Sequence, residues 1–151
     1  MALGDDEDEW EEKIRNSLRY SIRLLIKHPN IDPADITGTL RMTPRYAGIA
    51  GSRRTTSAGR ALLSVRDVSE WTHTFDVKRN RLFFQDVVKM IDRLEPHRDF
   101  LHKIVSDGGS INLIVSLPGD INIGDTFSWR EIARLSALRI NLDIEVFPDF
   151  R

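Results

Sequence analysis

Arg41, Arg45, Arg53, Arg54 and Arg60 fall within a stretch, residues 41 to 60, that contains no acid and intersperses them with glycine, serine and threonine. Guanidinium forks in such company could wrap a phosphate, a nucleotide or a nucleic-acid backbone, because their planar donors match anionic oxygens in pairs. The spacing matches neither a phosphate-binding loop with its lysine nor a dinucleotide fingerprint. Tyr46 is the only aromatic in the block, so stacking on successive bases is not signalled. The plainer alternative is a solvated loop, or one that answers the chain's own acid. Residues 5 to 12 hold seven carboxylates and no base, so the two blocks contribute −7 and +5 to a net charge of only −1. Opposite blocks attract over about a Debye length, roughly 8 Å at physiological salt. An acidic arm folded onto the arginine loop, in its own subunit or a neighbour, would compete with an anionic ligand.

Other constellations are weaker. Asp143 and Glu145 lie two apart on one face of an expected strand, roughly 7 Å from one another, a separation compatible with paired-carboxylate chemistry but equally with an ordinary polar strand face. Asp120, Asn122, Thr126, Ser128 and Glu131 imitate the spacing of a calcium loop, yet Gly124-Asp125 reverses the acid-then-glycine order at its centre. His97 and His102 are five apart rather than the three or four that stack two ligands on a helix face, and His28 and His73 stand in other segments. His73, between Trp71 and Phe75 on one strand face, reads as a hydrogen-bonded packing residue rather than a base. No catalytic residue, metal site or cofactor is expected.

The elements that position these residues can be traced from periodicity. Leu18, Tyr20, Ile22, Leu24 and Ile26 alternate along a strand that His28-Pro29-Asn30 ends. Asp32-Pro33 then opens a short helix to about Leu40, with a capping carboxylate, proline at its first position and Asp35 in its first turn. Residues 43 to 60 lack periodic apolar spacing and read as a long flexible connection. Residues 61–65 and 71–77 are expected to form two antiparallel strands turning near Asp67. Phe84, Val87, Val88, Ile91 and Leu94 mark an amphipathic helix over 82–94. Pro96 begins a second helix with Phe100, Leu101, Ile104 and Val105, stopped by Gly108-Gly109. Ile111 to Leu117 alternate as a strand closed by Pro118-Gly119-Asp120, with Ile121 and Ile123 as a short return strand. Ser128 and Glu131 form a capping box before a helix, and residues 140–147 alternate as a last strand. The order βαββααβαβ, with strands polar on one face, implies an α+β domain: a mainly antiparallel sheet of about five strands with helices packed on the other face.

The chain is 151 residues long, 40% hydrophobic and 30% charged, which suits one globular domain over 17–151 behind an acidic arm, flexible or partly helical, over 1–16. Without cysteine there are no disulfides, thiolate ligands or cysteine nucleophile. The acidic start is the reverse of a secretory signal, and no apolar run approaches a membrane span, so a cytoplasmic protein is expected.

The first strand with Ile31-Asp32-Pro33 and Ile36, then Leu40, Pro44, Trp71, Leu94-Glu95-Pro96 and the closing helix and strand together resemble an uncharacterised bacterial family known as domain of unknown function 4279. The resemblance runs from about Tyr20 to Phe147. It implies the same α+β fold and brings no activity, cofactor or catalytic residue. Family members often close on an acid, an apolar residue and tyrosine, where this chain has Glu145-Val146-Phe147. Some relatives resemble immunity proteins that neutralise bacterial toxins, which implies a protein partner. The leading expectation is a non-enzymatic interaction module, immunity-like in role, that presents its sheet face or arginine loop to a protein partner or to another copy of itself. The rival is nucleotide or nucleic-acid binding through the same five arginines, and an enzyme of unassigned class stands third. No membrane partner is expected.

Overall fold

The computed structural model describes residues 9, 20–56, 58–77, 82–119 and 122–147. The expected acidic arm therefore lies outside the described residues, apart from the exposed Glu9.

Strand β1 (Ser21–His28) organises the core. Its alternation turns Ile22, Leu24 and Ile26 to one side, where each is fully buried, and leaves Lys27 in solvent on the other. Antiparallel partners flank it on both edges. Ile22 lies opposite Phe75 of β5 (Ser69–Phe75) and Val115 of β6 (Ser110–Pro118), and Ile26 lies opposite Trp71 and Ile111. The five-stranded sheet has the order β2-β5-β1-β6-β7, with β2 at Tyr46–Gly48 and β7 at Asn141–Phe147. Pairing is antiparallel except between β6 and β7, which run parallel. A helix stands between those two strands in sequence, and such a crossover returns the chain to the same end of the sheet.

The helices pack on the face that carries Ile22, Leu24 and Ile26. Helix α1 (Pro33–Leu40) starts where Asp32 accepts a hydrogen bond from the Ala34 N–H at 3.0 Å and buries Ile36 and Leu40. Helix α2 (Phe83–Leu94) buries Val87, Ile91 and Leu94 as expected, but its inner face is completed by Phe83 and Met90, while Phe84 and Val88 are only part-buried. A single 3₁₀ turn at Glu95–His97 carries Pro96 and leads into α3 (Arg98–Ser106), which buries Leu101 and Ile104. Gly108 follows at φ +94°, and Gly109 passes so close to β1 that an added Cβ would sit 2.5 Å from the Lys27 carbonyl. Helix α4 (Trp129–Ala137) has the expected cap, Ser128 Oγ accepting from Glu131 N at 3.3 Å.

Three expectations need correction. The stretch 43–60 is not one structureless loop: it contains β2 and a further strand, β3 (Arg53–Thr55). Strand β4 (Ala61–Val65) does not pair with β5 across a turn at Asp67; it pairs antiparallel with β3 in a separate two-stranded ribbon. The physical reason is that β5 has no edge to offer, being flanked by β1 on one side and β2 on the other. The short return strand is also not formed among the described residues: Ile123 is part-buried against the core outside any strand, and Ile121 lies outside the described residues.

Candidate partner-binding ribbon

The ribbon is built from residues with little reason to fold alone. β3 and β4 pair through Arg53 with Val65 and Thr55 with Ala61, and a register irregularity between them lengthens the β4 side. The turn is closed by Thr56 N to Arg60 O and Gly59 N to Thr56 O, both 2.9 Å, and by Arg60 N to Thr56 Oγ1 at 3.1 Å. At the base, Gly51 N to Arg66 O and Arg66 N to Ser52 O, each 2.9 Å, continue the pairing, with Gly51 at φ +84°. Arg66 is the anchor. Its guanidinium is buried, lies 5.0 Å from the Tyr46 ring centroid and donates to the Tyr46 hydroxyl. Gly48 makes the room, since a Cβ there would fall 2.2 Å from the Arg66 Nε. The ribbon is thereby clamped to edge strand β2.

Beyond that base no described residue covers it. Every residue of β3 and β4 is exposed, with Leu62 at 39%, Val65 at 49% and Leu63 at 92%. An isolated two-stranded ribbon is marginally stable in water, and leaving one leucine side chain in solvent forgoes roughly 1.5–3 kcal/mol of burial. Ile49 and Tyr46, at 42% and 41%, extend the apolar surface past the base. Apolar side chains concentrated on an element that contributes nothing to the core are surplus to folding.

The five sequence-selected arginines do not converge. Arg53, Arg54 and Arg60 ride on the ribbon or its turn, whereas Arg41 ends α1 in a left-handed conformation (φ 54°) and Arg45 leads into β2, its N–H on the Thr72 carbonyl at 2.7 Å. All five are exposed, and among the described residues none makes an ion pair or a side-chain hydrogen bond. Sequence reasoning missed Arg66, its contact with Tyr46 and the exposure of β4. One signal was there: the acid-free stretch does not stop at residue 60 but runs through Arg66 to Asp67.

The remaining candidates are absorbed by structure. His28 is buried, and its Nδ1 accepts from the N–H groups of Asn30 (3.1 Å) and Ile31 (2.8 Å), so its Nε2–H donates to Asp107 at 3.1 Å. A general base needs one ring nitrogen facing substrate, and here both are occupied. His73 Nδ1 donates to the Thr43 carbonyl at 2.6 Å between Trp71 and Phe75, as a packing histidine should. Asp143 and Glu145 do share the sheet face away from the helices, but Asn112 donates to Asp143 at 2.9 Å, while Arg23 and Ser116 each donate to Glu145 at 3.2 Å. Asp125 in the would-be calcium loop accepts from Phe84 N at 3.0 Å and so caps the start of α2. Among the described residues no three histidines or carboxylates gather as a metal site. Arg134 on α4 is held by Glu95, by Asp92 at 2.5 Å and by Glu131 at 2.8 Å, partners that raise its already high pKa and lock α4 to α2.

An α+β domain with a five-stranded mixed sheet, helices on one face and a projecting basic, apolar ribbon is what the fold and site define. The family model described as domain of unknown function (DUF4279) matches residues 18–147, and the chain belongs to that family. No curated protein and no solved structure matches it. Among the described residues no helix is long and apolar enough to cross a membrane.

Proposed function

We propose that this domain is a non-enzymatic interaction module that docks a protein partner through the β3–β4 ribbon. The observation that carries the reading is the exposure of Leu62, Leu63 and Val65 beside Arg53, Arg54 and Arg60 on an element without a core. Contact surfaces favour a desolvated apolar centre with arginine around it. A nucleic-acid backbone would use the arginines but leave three aliphatic side chains in water, so a protein fits the whole surface better. The partner is one that offers an apolar groove rimmed by carboxylates. If the role is immunity-like, the neutralised toxin presents that acidic face.

The test is capture from source-cell extract with the intact chain, with a Leu63→Ser/Val65→Ser variant, and with an Arg53→Ser/Arg54→Ser/Arg60→Ser variant. One discrete protein retained by the first and lost by both variants is expected. Retention that is nuclease-sensitive, falls steeply with salt and survives loss of the aliphatic side chains would instead establish nucleic-acid binding.

A further inference from the structure

We propose that the cleft between α3 and α4, across the starts of β6 and β7, binds a small aliphatic carboxylate with Arg139 as its recognition residue. This site lies apart from the ribbon and does not depend on the reading given to it. The cleft is an open depression of about 380 Å³, toward the lower end of the roughly 300–1,000 Å³ usual for small-molecule sites. Its floor is aliphatic, formed by Ile111, Leu135 and Ile140, and Ile132, half exposed, stands on its wall. Ser110 and Asn141 bring neutral polar groups to the rim, and among the described residues no carboxylate lines it. An acyl chain would find apolar surface below and, at the mouth, a single cation.

That cation stands at the end of a helix. Helix α4 ends in a Schellman motif: Ile140 N bonds the Leu135 carbonyl at 3.4 Å and Arg139 N bonds the Ser136 carbonyl at 2.9 Å. The residue between helix and strand in this motif is ordinarily glycine, because it must adopt positive φ; here it is Arg139, at φ 58°. Its side chain lines the cleft, and its Nη1 donates to Ser106 Oγ on α3 at 3.2 Å. Among the described residues Arg139 makes no ion pair, so its charge is uncompensated at the edge of an apolar depression. A guanidinium in that setting matches a carboxylate in paired hydrogen bonds better than any neutral group does. Arg41 ends α1 in the same left-handed conformation, so what singles out Arg139 is its uncompensated charge beside an apolar cleft.

Octanoate titrated into the intact chain and followed by amide NMR is the direct test. Saturable shifts at Ile111, Arg139, Ile140 and Asn141 are expected in the millimolar range or below, with 1-octanol and octylammonium binding at least about tenfold more weakly. Arg139→Gly should remain folded, melt higher than the parent through relief of the positive φ, and lose binding about tenfold or more, while Arg139→Lys retains part of it. Equal binding of octanol and octanoate, undiminished binding by Arg139→Gly, or no saturable shift up to about 10 mM octanoate would each overturn the proposal.

Discussion

At the scale of single residues, the chain's titratable groups are spent mostly on holding elements together. Asp107 takes a hydrogen bond from His28 and pairs with Lys103 at 3.2 Å, and these two contacts, the histidine's first, hold its pKa below the ordinary 3.8. A carboxylate with a lowered folded-state pKa adds stability above its unfolded value, and that contribution disappears as pH falls from 3.8 through the folded value. Asp107→Asn should therefore flatten the acid limb of the stability profile below about pH 4, read from urea midpoints at successive pH, and leave the difference from the parent constant at neutral pH. The side chain is part-exposed, so solvent keeps the effect small. Roles of this kind are only partly legible in sequence. That His73 would serve packing followed from its two aromatic neighbours on a strand face. That His28 would be saturated by two backbone N–H groups and a carboxylate 79 residues away could not be read, because the third partner depends on where α3 ends.

At the scale of elements, periodicity was a good guide wherever a segment faces the core and a poor one elsewhere. β1, α2 and β6 each alternate or repeat because one side of them is in contact with the same apolar layer, whereas β7 alternates yet meets that layer only through part-buried Leu142 and leaves Ile144 and Val146 exposed. β2 and β3 have three residues apiece and bury none of them, so no pattern marks them. β4 is legible as a strand from Ala61 to Val65, but its partner is not, since local sequence does not say that both edges of β5 are taken. The same limit hides the cap of α2. Leu82 provides no side-chain cap, and Asp125, 41 residues beyond Phe84, accepts the Phe84 N–H instead. Asp125→Ala should cost about 1 kcal/mol by chemical denaturation, the usual value of a lost N-terminal cap, whereas the same change at the exposed Asp67 should fall within about 0.5 kcal/mol of the parent.

At the scale of the whole molecule, stability and interaction surface are carried by different parts. The core is one layer of aliphatic and aromatic residues between the sheet and α1 to α4, centred on fully buried Ile22, Leu24, Ile26 and Trp71. Leu24→Ala there should destabilise by about 2–5 kcal/mol. Leu63→Ser on the ribbon should change stability by no more than about 0.5 kcal/mol in either direction, although it is the same residue type, because a side chain 92% exposed has almost no burial to lose. The fold class, most element boundaries and most of the core were legible, since they follow from hydrophobic spacing. The ribbon was legible only as an excess of arginine, because its second property, aliphatic side chains left in water, exists only once the chain has folded and left them out.

That separation can be tested on one protein. A chain in which residues 53–64 are replaced by Gly-Ser-Gly keeps the base pairing of Ser52 with Arg66 and removes the exposed surface. Partner capture by this ribbonless chain, its fold checked by circular dichroism and thermal melting, addresses the central claim most directly. The account predicts an unchanged spectrum, a melting temperature within a few degrees of the parent, and no captured partner. A folded ribbonless chain that still captures the same protein at undiminished yield would contradict it.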